Sequence, residues 1–509
     1  MMIRVTDNTN LREYVPLPQD QVTVMNPNRS DLTNTKKMDA ESVIPLTPPR
    51  SSIHMIGVGG SGMKSLALEL ARRGEKVTGS DFALTSQQAH ELRRAGVLVY
   101  AGHHSNYVAR GLKAVVYSPA VPTHNPERQK AEELGIPQYS YPEMLAQITA
   151  DQKLMAISGT HGKTSTTGMT GWILNHTPHP ASLIMGGEYQ NNAYYRYQQK
   201  PDWAVIEACE YQHNFLHYHP HALAVLNIEP DHFDCFPSTE KLCEAFQQMV
   251  SQVHPEGVVI YPADDPQMGQ ILQDYTGHTE SFSTRKAATW EARKLRHVQG
   301  GYEFQIYHQG SLFTETRLRV PGFHQVANAL VACAMCHFQG VSPEAISHGL
   351  ATYPGVNRRF HFRGHSRKVT LIDDYAHHPT AVRATLETAR EEYPGQKIWC
   401  VFQPHQQQRL LNLMPEFAEA FELADEVIIT PVFSARENDG EQSRELSQEL
   451  AHRLHVKGVQ ARYTATLDLA IDVLELECQA GNVILTLGAG DIDRIADDFT
   501  GRICRHYAS

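Results

Sequence analysis

Six consecutive residues, Gly159-Thr160-His161-Gly162-Lys163-Thr164, carry the most readable chemistry of the chain. They follow the apolar run LMAIS and open a helical stretch, STTGMTGWIL. A glycine-rich turn between a strand and a helix points backbone N–H groups at an anion, at the positive end of the helix. Lys163 adds a full charge for the terminal phosphates of ATP, and the Thr164 hydroxyl can reach Mg2+. The run departs from the general eight-residue phosphate loop, because Ile157 stands where its first glycine belongs. The strand, the GKT triplet and the helix are all kept, so the expected ATP contacts are Gly159, Thr160, His161, Gly162, Lys163, Thr164 and Ser165. A second glycine turn, Gly57-x-Gly59-x-x-Gly62, follows the run IHMI, and Asp81 ends the next strand. This pattern lets backbone amides approach a pyrophosphate. It serves a UDP-sugar as well as a nicotinamide dinucleotide.

Both turns need sheets to hold them. IHMIGVGG, SGMKSLALELARRG and KVTGSD read as strand, helix and strand, and the alternation continues through VLVYAGHH and AVVYSPAV. A second alternating series runs through WAVIEACE, ALAVLNIE and GVVIYPADD. It is followed by the hairpin-like GGYEFQIYHQGSLFTETRLRVPG and an Ala-rich helix from about Gln325 to Phe338. A third series carries VTLIDDY, KIWCVFQ, EVIITPVF and NVILTLGAG. The expected fold class is α/β, with three α/β domains in series: a Rossmann-like N-terminal domain, a central P-loop ATPase-like domain and a Rossmann-like C-terminal domain. The expected boundaries are 50–150, 151–355 and 356–509, after a disordered tail at 1–49 rich in Asn, Thr and Pro. A length of 509 residues suits this division.

The net charge of -11 argues against a protein devoted to nucleic acid or anionic membranes. No apolar run approaches the length of a membrane span, and the N-terminus has no secretory pattern. The eight cysteines show no paired zinc spacing, and Cys333 and Cys336 fall in a helical pattern that suits core packing. A cytoplasmic protein with reduced thiols is expected.

SGTHGKTSTT resembles the ATP loop of the Mur ligase family, and further segments extend the resemblance over all but residues 1–49. VPGFHQVANA is similar to that family's PGxHNxxNAxAA, with Gln325 in place of the usual Asn. GVNRRFHFRG, LIDDYAHHP, VFQPHQQQRL and LGAGDI resemble its later segments. The resemblance implies that Thr164, Glu207 and His232 bind Mg2+, and that His324, Asn328, Arg359 and Asp374 lie against ATP. Within the family, GVGGSGM with GSD resembles the member that adds L-alanine. That implies a UDP-N-acetylmuramate site formed by Gly57, Gly59, Gly60, Ser61, Gly62, Met63, Asp81, Ser118, Gly186 and Gly187. It also implies an amino-acid pocket formed by Tyr375, His377, His405 and Arg409, with Lys163, His377 and Arg409 as the catalytic set. Gln406 replaces an arginine common in relatives, which leaves Arg409 to hold the α-carboxylate. Met185 replaces a common Asn.

The implied activity is ATP-dependent amide formation through an acyl phosphate, joining L-alanine to UDP-N-acetylmuramate in peptidoglycan precursor synthesis. Its partners would be small molecules only, and the enzyme a monomer or homodimer. The nearest alternative is a ligase of cell-wall recycling that adds a whole tripeptide to the same sugar nucleotide. A nicotinamide-dependent dehydrogenase leaves the GKT loop unexplained. A non-catalytic nucleotide-binding regulator would be expected to have lost part of the set Lys163, Thr164, Glu207 and His232.

Overall fold

The structure is a computed structural model and describes residues 51–190, 200–366, 368–433 and 440–499. The expected tail at 1–49 and Cys504 lie outside the described residues.

Three sheets follow one another along the chain. The first has five parallel strands, in the spatial order Leu98–Ala101, Lys76–Asp81, Ser52–Ile56, Ala114–Tyr117 and Gln138–Ser140. The chain starts in the middle strand and winds outward in both directions, so the carboxyl end of Ser52–Ile56 is a topological switch point. The Gly57 turn lies there. Gly57 needs its φ of +83° to turn from the strand toward helix Ser61–Arg72.

The central sheet has nine strands. Six, from Ala181–Ile184 across to His278–Ser283, run parallel. Trp290–Val298 joins parallel to His278–Ser283, and Gly301–His308 and Ser311–Leu318 then add antiparallel, as the hairpin-like sequence suggested. Strand Lys153–Ser158 lies between Trp203–Glu207 and Ala222–Val225. Its carboxyl end is the second switch point, and the phosphate-loop motif starts there. Helices on both faces explain why such strands read as nearly unbroken apolar runs rather than alternating ones. Helix Lys163–Asn175 and helix His324–Phe338 pack on one face. Cys333 and Cys336 are fully buried in that second helix, and all the described cysteines are free thiols.

The third sheet has the order His361–Ser366, Val369–Asp374, Val483–Leu487, Ile398–Phe402, Glu426–Ile429 and Gln460–Tyr463. Only its first strand is antiparallel. Asp374 ends Val369–Asp374, and the QPH segment leaves Ile398–Phe402, so both chemistry-bearing segments emerge at carboxyl ends of parallel strands.

Side chains at the sheet margins join the three parts. Arg73, at the end of helix Ser61–Arg72, donates to Glu69 Oε1 at 2.8 Å, to the Ile148 carbonyl, and to Gln152 Oε1 at 2.5 Å in the link between the first two sheets. On the other side, Glu391 accepts from Tyr302 Oη at 2.6 Å, and Glu392 accepts from the Gly300 amide at 2.9 Å. Hydrogen bonds to charged groups are each worth about 1.5–3 kcal/mol. Arg73→Ala is therefore expected to lower the unfolding free energy by about 2–3 kcal/mol. Chemical denaturation followed by far-UV circular dichroism checks this, and an unchanged midpoint would remove Arg73 as the tie.

Candidate active site

A cavity of about 1930 Å3 lies where the three sheets converge. It is lined by Ser61 from the first part, Lys163, Thr164, Glu207 and His232 from the second, and Arg359, Asp374, His377 and Arg409 from the third.

The phosphate loop is held from the side. Gly159 (φ +126°) runs so close to the neighbouring strand end that a Cβ there would lie 3.0 Å from backbone atoms of Leu226 and Asn227. Asn227 Oδ1 accepts from the His161 amide at 2.8 Å, and Thr160 Oγ1 accepts from the Glu229 amide at 2.9 Å. Gly162 (φ +82°) caps helix Lys163–Asn175, and a Cβ there would lie 2.7 Å from Asn328 Oδ1. This contact brings Asn328 to the loop. His324, one turn earlier, lies exposed in the cavity wall and contacts Gln325 at 3.1 Å. Desolvation by the surrounding cavity wall, then the charges of Arg359 and His161, push His324 down to about 4.

Lys163 folds back over the loop. Its ammonium donates to the carbonyls of Gly159 and Thr160 and to Glu210 at 3.0 and 3.2 Å. Burial alone would raise the Glu210 carboxyl, but Lys163 and His232 outweigh it and hold it at about 2. Glu210 was not singled out from the sequence. Its signal was the second carboxylate of VIEACEY, just past the strand end that carries Glu207.

The three residues expected to share a metal are divided. Thr164 Oγ1 donates to Glu207 Oε1 at 2.9 Å, and the Gly186 amide donates to Glu207 Oε2 at 2.7 Å. His232 instead places Nε2 at 3.5 Å from Glu210. Its Nδ1 is buried with no hydrogen-bond partner among the described residues. Its backbone lies in the left-handed region, at φ +53°.

Arg359 crosses from the third part to Thr164 Oγ1 at 3.2 Å, with its guanidinium 5.0 Å from the Tyr375 ring centre. Arg358 beside it turns the other way, to the carbonyls of Gly488 and Gly490 and to Asp373. Asp374 accepts from the amides of Phe360 and Ala376 at 2.8 and 2.9 Å, so its carboxylate shapes the loop that carries Arg359.

At the expected amino-acid pocket, Arg409 already has a counter-ion. Its Nε and Nη2 clamp Asp231 of the central part at 2.8 and 3.1 Å, and Nη1 donates to the His405 carbonyl at 2.9 Å. The guanidinium is 2% exposed, and so deep a charge needs a counter-ion. His377 lies close by, with its ring centre 5.9 Å from that of His405. The Tyr375 carbonyl, 2.7 Å away, can only accept, so His377 Nδ1 carries the hydrogen and Nε2 keeps its lone pair. Burial, then Arg409, hold His377 well below its ordinary range.

The N-terminal set is partly drawn in. Ser61, Gly186 and Gly187 line the cavity, while Gly57, Gly59, Gly60, Gly62, Asp81 and Ser118 stand outside its lining. Asp81 braces its own turn, accepting from the amides of Gly59 and Ala83 at 2.8 and 2.9 Å. The Ser118 Cβ lies 3.2 Å from the point where a Cβ on Gly57 would sit. The Met63 expectation is corrected for its side chain, which is 3% exposed and belongs to the apolar core under helix Ser61–Arg72.

Three family models match successive parts of the chain: "Mur ligase family, catalytic domain" at residues 52–153, "Mur ligase middle domain" at 157–336, and "Mur ligase, glutamate ligase domain" at 358–490. The chain belongs to the Mur ligase family. It is 36% identical over 451 residues to the UDP-N-acetylmuramate–L-alanine ligase of Acetivibrio thermocellus, an alignment covering 88% of this chain and 95% of that one. The corresponding ligase of Alkaliphilus metalliredigens is 36% identical over 446 residues, covering 87% of this chain and 96% of that one. Among solved structures, the UDP-N-acetylmuramate–alanine ligase of Thermotoga maritima superposes with a TM-score of 0.76 at 27% identity, over 89% of this chain and 99% of that one. A murein peptide ligase from Psychrobacter arcticus, 24% identical with a TM-score of 0.68 over 89% of this chain and 98% of that one, shares the fold.

Buried His378 is expected to make the stability of this Mur ligase fall in acid. Pushed down to about 4 first by burial, it stays neutral in the fold, whereas the unfolded chain takes up a proton near 6.5. Between those values the unfolded state binds more protons, so stability is full above 6.5 and falls as pH drops toward 4. Asp373, pushed up to about 6 by burial, acts in the opposite direction over part of that window. The variant His378→Gln isolates the histidine contribution. Its urea midpoint should fall less between pH 7 and pH 5 than that of the parent, by ~0.5 M or more at ordinary urea slopes. An equal fall in both proteins would contradict the assignment.

Proposed function

We propose that this chain is the ATP-dependent ligase that joins L-alanine to the lactyl carboxylate of UDP-N-acetylmuramate, in peptidoglycan precursor synthesis. The observation that carries this reading is the convergence of the phosphate loop, the Ser61–Gly186–Gly187 lining and the His377–Arg409 pocket on one cavity. It is supported by the names of relatives matched over nearly their whole length.

On this reading the γ-phosphate of ATP lies at the Lys163 ammonium and the N-terminus of helix Lys163–Asn175. The lactyl carboxylate attacks that phosphorus, the bond to the bridging oxygen of ADP breaks, and an acyl phosphate forms. Lys163 and Arg359 neutralise charge on the transferring group. Mg2+ suits the site: Thr164 and Glu207 offer two hard oxygens 2.9 Å apart. When bound, the ion would offset phosphate charge.

The amine of alanine then attacks the acyl carbon, and phosphate leaves. His377, neutral and with Nε2 free, accepts the proton lost by the amine. Arg409 has donors beyond those it gives to Asp231 and His405. It can therefore still hold the α-carboxylate, as one half of a neutral pair. Gathering three substrates between domains supplies much of the rate, through proximity.

Phosphate release from ATP should require both UDP-N-acetylmuramate and an amine, and L-alanine should be preferred over glycine, L-serine and a cell-wall tripeptide. Release only with the tripeptide would move the chain to the recycling ligases. No release with any acceptor would refute the enzyme reading. Glu207→Ala should lower kcat by about a hundredfold or more while leaving UDP-N-acetylmuramate binding, read by calorimetry, within about twofold. Retained turnover at ordinary Mg2+ would remove Glu207 from the metal site.

A further inference from the structure

Beside the phosphate loop, but apart from Thr164 and Glu207, two histidines and a carboxylate meet across the boundary between the central and C-terminal parts. They are His161 in the loop, Glu229 just after strand Ala222–Val225, and His378 at the start of helix Pro379–Glu392. One ligand atom from each lies within 4.8 Å of the other two. We propose that His161, Glu229 and His378 form a binding site for a first-row divalent cation of the zinc type, which ties the phosphate loop to the C-terminal domain.

The spacing suits such an ion. Zinc–nitrogen and zinc–oxygen bonds of about 2.0–2.2 Å place tetrahedral neighbours about 3.3–3.6 Å apart. Glu229 Oε2 lies 3.4 Å from His161 Nε2 and 3.6 Å from His378 Nδ1.

The protonation pattern suits it as well. The Pro230 carbonyl, 3.3 Å from His378 Nε2, can only accept, so that nitrogen carries the hydrogen. His378 Nδ1 is therefore the lone-pair nitrogen and faces Glu229. The bond it would give up is one long contact, 3.4 Å, from the Thr380 amide. An imidazole whose outer N–H is held by a carbonyl is the usual form of a metal-ligating histidine. Glu229 Oε2, the oxygen that faces both imidazoles, also accepts from Thr380 Oγ1 at 2.5 Å, which fixes its position.

The backbone is fixed around two of the three ligands. Asn227 Oδ1 holds the His161 amide, and Thr160 Oγ1 holds that of Glu229. His161 and Glu229 line the main cavity, so a fourth position opens toward solvent. Two imidazoles and one carboxylate with an open position suit Zn2+, Co2+ or Ni2+ rather than Mg2+, which takes oxygen ligands in an octahedron. A cation bound there joins residues of two domains and stabilises their closed arrangement by mass action.

The test uses the full chain without nucleotide, titrated with Co2+ alone and followed by its visible absorption, then with Zn2+ in competition. The expected result is one equivalent of Co2+ with tetrahedral bands, displaced by Zn2+, and a higher thermal midpoint with metal. His378→Gln and Glu229→Gln should each weaken Co2+ binding at least about tenfold and lose the metal-dependent rise in midpoint. Glu207→Gln should bind Co2+ like the parent. Circular dichroism without metal checks the fold of each variant, and either of the two ligand variants suffices if the other fails to fold. The proposal is overturned if both variants bind like the parent, if the parent does not bind, if thiolate bands appear, or if Glu207→Gln is the variant that loses binding. None of these readouts depends on the ligase reaction, so failure here leaves the proposed function standing.

Discussion

The largely enclosed ammonium of Lys163, its side chain 12% exposed, is the charge around which the centre of this molecule is arranged. An isolated ammonium taken out of water costs several kcal/mol even after relaxation. The fold offsets that cost with two loop carbonyls and Glu210, and Glu210 is itself held down by His232. This chain of contacts explains otherwise odd local features. The left-handed backbone at His232 turns its ring toward Glu210, and strand Trp203–Glu207 must end where Glu207 and Glu210 can face the loop from the same side. On the proposed function, a triphosphate arriving at the loop would compete with Glu210 for the same ammonium, so that nucleotide binding would be an exchange of counter-ions.

A second buried pair does for domain arrangement what Lys163–Glu210 does for the loop. Asp231 and Arg409 come from different sheets and are both nearly inaccessible, and Asp231 is held far below the ordinary carboxylate range despite its burial, by Arg409 and then His232. Removing either partner would strand a charge, so the pair specifies how the two domains meet more than it adds net stability. Asp231 and His232 are adjacent in sequence, and Glu229 lies two residues earlier. The segment NIEPDH thus faces the phosphate loop, the Lys163 counter-ion and the C-terminal domain at once. Any motion that opens the C-terminal domain must pull on the residues that hold Glu210.

Much of this was legible in the sequence because it depends on local chemistry. Glycines before a helix, a GKT triplet and unbroken apolar runs each have one good structural solution, and the sheets and their switch points follow. The resemblance carried further, to Arg359, Asp374 and His377, whose spacing alone says nothing. What the sequence could not disclose were partners chosen at long range. Glu210 is 47 residues from Lys163, and Asp231 is 178 residues from Arg409. Arg409 looked like a lone anchor because its counter-ion lies on another domain. Met63 looked like a ligand contact because it sits in a glycine turn, although the first turn of that helix already faces the core.

Gln406 takes on a different meaning in this light. If Arg409 were a free cation, replacing a neighbouring arginine would halve the charge available to a carboxylate. With Arg409 neutralised by Asp231, a second arginine at position 406 would be the uncompensated charge of the pocket, and its loss leaves the walls nearly neutral. Gln406 itself stands in the left-handed region at φ +68°, heading the short helix Gln407–Asn412 that carries Arg409. An amide at that position costs less to desolvate than a guanidinium and can still donate a hydrogen bond. On the proposed function, the pocket would hold its amino acid through hydrogen bonds from several directed groups rather than through net charge.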